Sequence, residues 1–339
     1  MSHSHHPHSH SHSHDGPPPD KQELLQKEGQ FWDLQEEQIE ELYARPHDWR
    51  FFPKIADLVM KPRHDTLRRL FRQHKSEWRT LLDVGCGNGW FCHWAAQQGV
   101  KSFGIDLASK KIDAAKRLAA DKGVSGSCEF WAGDVLEWRP EQKVDLLTSH
   151  GSLHHFPEFD AAMQHMVEHF LKPDGWLLLV EPKYEGMAPE VREHLLDKAK
   201  NSWLRKHFDF EFYAEVTGRQ SLAGSAADEQ AKAEATEVDI RDESPAGKEF
   251  FGEHVDLDAY FANNFDVVEK EYYQYYAGHA TNAFYTFMKS KWVRRAWRLM
   301  LPSVVRRDTK RLLDLKYQQY AEDGLWLMRP KGVRGSATP

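Results

Sequence analysis

The sequence predicts an α/β protein, a doubly wound sheet of seven mostly parallel strands with helices before it and a helical insert ahead of its last strand. Three observations predict it. The run Leu81-Leu82-Asp83-Val84-Gly85-Cys86-Gly87-Asn88-Gly89 is an apolar segment that ends near an acid and breaks into alternating glycines, the pattern of a buried parallel strand turning sharply into a helix. Further short apolar runs follow at intervals that leave room for a helix between them. The chain has 339 residues, 40% of them apolar, enough to bury one large α/β core.

Taken in order, residues 1–20 hold seven histidines alternating mostly with serine, then three prolines, and cannot build a core. Neutral imidazoles there suit Ni²⁺ or Zn²⁺, and an expression tag or a solubilising tail explains the composition equally. Residues 21–75 form an N-terminal helical cap. Within it 21–45 read as one helix, with Leu24, Leu25, Phe31, Leu34, Ile39 and Leu42 as apolar positions, and 52–73 as another, with Ile55, Leu58, Val59, Leu67, Leu70 and Phe71 facing the sheet. The first strand ends at Val84. A second runs from Ser102 to Asp106, a third from Phe130 to Val135, and a fourth from Val144 to His150. A Pro173-Asp174-Gly175 turn closes a helix and feeds a fifth strand from Trp176 to Glu181. A helix is expected over 189–206, and 218–248 reads as a polar loop or short solvated helix. Phe265 to Glu269 form a sixth strand and Gly324 to Pro330 the seventh. The core thus comprises 76–271 and 321–331, the insert 272–320, and a flexible tail 332–339.

The glycine spacing separates two kinds of ligand. A dinucleotide turn needs a small residue five positions after the first glycine, for close helix–strand packing under a pyrophosphate. Here that position is Trp90, and the third glycine comes early, at Gly89. Asp83, two residues before Gly85, is also poorly placed for an anion. A ligand with positive charge and no phosphate fits better, and S-adenosylmethionine, with its sulfonium and ammonium, is such a ligand.

The segment resembles motif I of class I S-adenosylmethionine-dependent methyltransferases, and four later segments match in order. They are the second strand ending at Asp106, 19 residues beyond Gly87; Gly133-Asp134-Val135; Gly151-Ser152-Leu153-His154-His155-Phe156 after the fourth strand; and the Pro-Asp-Gly turn into the fifth. The fourth is similar to small-molecule methyltransferases of quinone pathways, and Asp242 to Pro245 is weakly similar to enzymes of saccharide and lipid pathways. The resemblance implies a Rossmann-like strand order 3-2-1-4-5-7-6 with the last strand antiparallel. It also implies a cofactor site made by Asp83, Gly85, Cys86, Gly87, Asn88, Asp106, Leu107, Gly133, Asp134, Val135 and His150. Asp83 would orient the methionine end through water, Asp106 would hold the ribose, Asp134 with Val135 the adenine, and the His150 backbone would lie near the methionine amine. Elements before the first strand often cover the acceptor pocket in this family, which makes Trp32, Trp49, Phe51 and Phe52 candidate walls.

For the chemistry, His154 and His155 are the candidate catalytic bases, because they sit where open α/β sheets bind ligands and imidazole titrates near neutrality. Ordinary helix capping or packing explains one of them equally. Glu181 is a lesser candidate. The cluster Tyr272-Tyr273-Gln274-Tyr275-Tyr276 and His279 either line an acceptor site or pack the core. A small-molecule acceptor methylated at oxygen is the leading expectation. The rivals are an NAD-dependent oxidoreductase and a non-catalytic methyltransferase-like scaffold. A net charge of −7 argues against general nucleic-acid binding. Cys86, Cys92 and Cys128 show no metal-ligand spacing and are too few for a disulfide framework, so a reducing cytoplasm is the expected compartment. Apolar runs reach only about five residues, so no span is expected, and no secretory signal pattern is present.

The insert carries the sharpest charge asymmetry. Residues 286–320 hold ten Lys or Arg against two Asp. Tyr285, Met288, Trp292, Ala296 and Leu299 fall on one helical stripe, flanked by Val293, Trp297 and Met300, with Lys291, Arg294, Arg295 and Arg298 opposite. Pro302 is expected to break this helix, and Val305, Leu312 and Leu315 mark a weaker one behind it. Three readings stay open: a helical lid, a helix lying on an anionic membrane surface, and cations facing an acidic substrate.

Overall fold

The computed structural model describes residues 21–156, 159–183, 188–217, 244 and 256–331. The His-rich segment, nearly all of 218–248 and the tail 332–339 lie outside these. Seven strands form one sheet in the order β3-β2-β1-β4-β5-β7-β6. They are β1 (Thr80–Val84), β2 (Lys101–Asp106), β3 (Cys128–Ala132), β4 (Val144–His150), β5 (Leu171–Pro182), β6 (Phe265–Tyr273) and β7 (Asp323–Pro330). β1 to β5 pair in parallel, while β7 runs antiparallel to both β5 and β6. This is the order the resemblance implied.

Side chains alternate between two apolar layers, as the period of a strand requires. Leu82, Val84, Leu147, Leu177, Leu179, Trp326 and Met328 face one layer. Leu81, Leu146, Trp176, Leu178, Val180, Leu325 and Leu327 face the other. Near-continuous apolar strands are therefore what the middle of this sheet needs, with helices on both faces. The second layer is covered by α4 (Lys61–His74), α5 (Trp90–Gln97) and α6 (Ser109–Asp121), through Leu70, Phe91 and Ile112 among others. α3 (Pro53–Val59), α7 (Phe159–Phe170), α8 (Pro189–Asn201), α10 (Leu257–Asn264) and α12 (Lys291–Arg311) cover the first.

Several expectations need correction. The first helix splits into α1 (Lys21–Glu37) and α2 (Ile39–Ala44) at Gln38, and the second into α3 and α4 at Met60, where Pro62 occupies an early position of α4 and starts a new helix. β3 begins and ends earlier than expected, so Gly133, Asp134 and Val135 form the loop after it. Leu171 already pairs with Val144, and Leu146 next pairs with Trp176; the Pro-Asp-Gly turn is thus a bulge inside β5. The helix expected over 189–206 ends at Asn201 and passes into a tight turn, Trp203–His207, before α9 (Phe210–Thr217).

The insert departs most. α11 (Ala277–Thr281) and a wide turn (Asn282–Thr286) precede α12, which begins after Ser290 and runs straight through Pro302. A proline inside a helix costs about 3 kcal/mol. The helix persists because both halves are anchored by one inward row: Trp297, Leu301 and Val305 are buried, and Asp308 accepts the backbone N–H groups of Tyr275, Tyr276 and Ala277 at 3.0, 3.1 and 3.0 Å. That row is turned nearly half-way round from the expected stripe, so Trp292 and Leu299 point outward. Leu312 is buried as well, and Leu315 opens the short α13 (Leu315–Gln318) fully exposed.

Candidate functional site

The glycine turn is tied to its neighbours on both sides. The N–H groups of Gly85 and Cys86 donate to Ile105 O at 2.8 and 3.1 Å, fixing the end of β1 to that of β2. Gly85 has φ +66°, and a Cβ there would lie 2.3 Å from Ser152 Cβ. Only glycine lets the loop after β4 come that close. Gly89 has φ +73°, and its Cβ would meet the Phe130 ring at 2.8 Å, so the third glycine serves the packing of α5 on β3.

Asp106 ends β2 beside this turn. One carboxylate oxygen accepts from Gly87 N–H at 2.7 Å and the other from Ala108 N–H at 2.9 Å. Burial pushes its pKa up; Ala108 N–H, Lys111 and Gly87 N–H pull it back, leaving it above the usual carboxylate range. A carboxylate offers about four acceptor positions, so each oxygen keeps capacity for one more donor.

These elements wall a cavity of about 340 Å³, within the size range of small-molecule sites. Gly85, Cys86, Gly87, Asn88, Asp106, Leu107, Gly133, Asp134, Val135, His150 and His155 all line it. Asp83 does not. It lies beneath the turn, 1% exposed, where Thr148 Oγ1 donates to it at 2.9 Å and burial drives its pKa to about 8. Of the four aromatic candidates only Trp32 reaches the cavity. Trp49 is buried in the core, while Phe51 and Phe52 border a separate hollow with Tyr43 and Phe212. Tyr272, Tyr273 and Tyr275 are packing residues whose hydroxyls donate to Asp258, Glu271 and Glu190. His279 stands away from the cavity, 3.0 Å from Glu322.

The two histidines after β4 are held differently. His154 lies outside the cavity lining, its Nδ1 at 2.9 Å from Glu181 Oε2. Glu181 Oε1 accepts from Ser149 Oγ and from the N–H groups of Ser152 and Leu153 at 3.2, 3.1 and 3.0 Å. Burial pushes the Glu181 carboxyl up, but His154 and these donors together hold it below its ordinary range. His155 faces the cavity. Its Nδ1 is 3.1 Å from Glu28 Oε1 and 2.7 Å from Ser244 Oγ, and burial lowers its pKa against the opposing pull of Glu28. With its proton on Nδ1 and directed at the Glu28 carboxylate, the imidazole carries its lone pair on Nε2. His150 packs its ring on Phe91 at 4.1 Å, and neither of its buried ring nitrogens has a hydrogen-bond partner among the described residues.

Glu28, Glu36 and Lys111 are the charged lining residues that sequence reasoning did not find. Glu28 sits on the row Leu24-Glu28-Phe31 that α1 buries, so an acid on an apolar helical stripe was the available signal. Glu28 also accepts from Trp32 Nε1. The Lys111 ammonium lies 4.2 Å from the centre of the Trp32 ring, and nothing in the sequence of α6 distinguishes it from its exposed lysine neighbours. The lining as a whole has four carboxylates, Glu28, Glu36, Asp106 and Asp134, against one lysine. That donor set fits a ligand bearing positive charge and hydroxyl groups, as S-adenosylmethionine does, and opposes a pyrophosphate.

Comparison with known proteins gives a consistent placement. The profile of a methyltransferase domain family matches residues 75–237. A ubiquinone biosynthesis O-methyltransferase of Paraburkholderia phytofirmans is 28% identical over 144 residues, 40% of this chain and 62% of that one. The uncharacterized protein YjhP of Escherichia coli is 31% identical over 141 residues, 41% of this chain and 55% of its own. The chain thus spans less than two thirds of the length of these relatives. Among solved structures, a S-adenosylmethionine-dependent methyltransferase from Thiobacillus denitrificans in complex with S-adenosylhomocysteine aligns over 82% of this chain and 99% of its own, at 17% identity and a TM-score of 0.41. Over residues 75–237, which hold β1 to β5 and the glycine turn facing Asp106, the chain is similar to a methyltransferase domain family.

Proposed function

We propose that this protein binds S-adenosylmethionine in the cavity at the ends of β1, β2 and β4 and methylates a hydroxyl of a small-molecule acceptor. The observation that carries the reading is the lining itself: a glycine turn, the Asp106 carboxylate and an acid-rich wall share one cavity with His155. When bound, the cofactor supplies an electrophilic methyl group on a good leaving group, so the protein's main contribution is position and exclusion of water. Asp106 would accept from the ribose hydroxyls, and the loop Gly133, Asp134 and Val135 would edge the adenine. Glu28 and Trp32, brought over by α1, roof the opposite side.

Deprotonation of the acceptor falls to His155. Held neutral by burial, with Nδ1–H directed at Glu28, it presents Nε2 as the base. His154 fits a positioning role, since its bond to Glu181 braces the Ser152–Leu153 backbone that closes the cavity next to Gly85. The names of the matched relatives favour oxygen as the methylated atom.

Calorimetric titration with S-adenosylmethionine, S-adenosylhomocysteine and NAD tests the cofactor. Saturable binding of the first two without NAD, followed by methyl transfer to hydroxylated acceptors, is expected. Binding with no turnover on any acceptor class favours the non-catalytic alternative, and binding of NAD alone refutes the assignment.

A further inference from the structure

The outer face of α12 combines features that a buried lid helix does not need. Trp292, Leu299 and Met300 are 78%, 76% and 56% exposed, and Leu313 and Leu315, just beyond the helix, are 79% and 80% exposed. Five of the nine large apolar side chains that stand exposed among the described residues therefore fall within 24 consecutive positions. On a helix of 3.6 residues per turn, Trp292, Ala296, Leu299, Ser303, Arg306 and Lys310 share the face opposite the buried row Trp297-Leu301-Val305. Arg295 and Arg307 flank them.

The face has no acid. The one aspartate of α12, Asp308, points inward, and of 286–320 only Asp314 offers an exposed carboxylate. Lys291, Arg295, Arg298, Arg306, Arg307, Lys310, Arg311 and Lys316 are all exposed. Arg298 also borders a hollow with Lys54, Lys61 and Arg68, where Asp57 lies and Asp65 pairs with Lys61 and Arg68. Basic side chains interleaved with an exposed tryptophan and leucines suit an interface between water and acyl chains. Long basic stems reach headgroup phosphates while the indole settles at headgroup depth. A nucleic acid would use the cations and leave the leucines in water. No helix among the described residues is long and apolar enough to cross a membrane, so the contact is with the surface.

We propose that α12 and the turn after it dock this protein onto anionic lipid bilayers, with Trp292, Leu299, Leu313 and Leu315 entering the interface and the surrounding Arg and Lys contacting acidic headgroups. The inference is independent of the cofactor assignment. It concerns residues that take no part in the cavity lining, and its test reads no methyl transfer.

The test is co-sedimentation of the full chain with phosphatidylcholine vesicles, with or without phosphatidylglycerol, at low salt and at about 1 M salt, where charge attraction is screened within about 3 Å. Binding to the anionic vesicles alone, lost at high salt, is expected. Two variants that leave the buried row intact decide the contributions. Arg306→Gln with Lys310→Gln should lower partitioning roughly 30-fold, given about fivefold per basic residue at the surface. Trp292→Ser with Leu299→Ser should also release the protein. Unchanged circular dichroism and melting temperature show that either variant folds. Pelleting that is equal with both lipid compositions, or that survives both variants, overturns the proposal. So does binding to a short DNA duplex as tight as to the vesicles, since a mere polyanion patch would then suffice.

Discussion

Asp106→Ala is the most direct perturbation of the cofactor site. The native carboxylate already accepts from Gly87 and Ala108 N–H at 2.7 and 2.9 Å, and each oxygen would take one ribose hydroxyl as well. A hydrogen bond to a charged group is worth about 1.5–3 kcal/mol. Losing two of them removes about 3–6 kcal/mol of binding, and each 1.4 kcal/mol is about tenfold in affinity. The dissociation constant for S-adenosylhomocysteine should rise by about 10² to 10⁴. Release of the Gly87 and Ala108 N–H groups adds to this by loosening the turn. Asp106→Asn keeps one acceptor oxygen and should fall between the two. The assay is isothermal titration of both variants with S-adenosylhomocysteine, alongside their melting temperatures without ligand. A folded Asp106→Ala protein that binds within about threefold of the native one would refute the reasoning, because no other arrangement of this site spares the carboxylate.

Three further outcomes follow from the geometry. Glu28→Gln removes the charge that holds Nδ1–H of His155 and raises its pKa, so the variant's imidazole should titrate lower still. The acid limb of the pH–rate profile should move to lower pH, with kcat reduced about tenfold or more and the cofactor held more weakly for the loss of one lining carboxylate; a limb that stays put removes His155 from the role of base. Gly85→Ala combines a left-handed backbone with a 2.3 Å clash on Ser152 and should cost about 3 kcal/mol or more. Gly99→Ala, at φ +89° with open space around its Cβ, should cost only about 1–2 kcal/mol; thermal melts that rank them the other way contradict the packing. Asp83 has a folded-state pKa near 8 against an unfolded value near 3.8, so its contribution is fully present below pH 3.8 and is lost as pH rises through 8. Asp83→Asn should therefore gain stability relative to the native protein as pH climbs across that window, by up to about 6 kcal/mol, and urea melts at several pH values that show a constant difference exclude a protonated Asp83.

The parts of this fold that could be read from the sequence are those where one residue type answers one local demand. Gly85 and Gly89 are forced by Ser152, in the loop just after β4, and by Phe130 of β3, and the apolar runs of both strands are plain. The acid ending β2 was legible for the same reason. Strand order came through resemblance, because nothing in the residues of β7 says that it enters between β5 and β6. Pro302 misled because the penalty of a proline is local, whereas Trp297, Leu301, Val305 and Asp308 are held by partners far along the chain. The inward face of α12 was misjudged for a related reason: Trp292 and Leu299 are as apolar as the residues it buries, and hydropathy alone does not say which of two such rows meets the protein. Glu28 escaped because its partner, His155, lies more than a hundred residues away.

The position of β7 also shapes how the molecule is made. It is the last strand among the described residues, yet it is interior to the sheet, with β5 bonded along one edge and β6 along the other. Until Asp323–Pro330 leaves the ribosome, β5 has an open edge and β6 has no partner, so the sheet remains in two pieces throughout synthesis of the insert. Closing it requires pairings between residues far apart in sequence, which form slowly. Nascent chains stalled before residue 323 should expose the apolar strand Leu177-Leu178-Leu179-Val180 to chaperones and proteases, and the step to resistance should come all at once, as the final strand slides in and locks both halves.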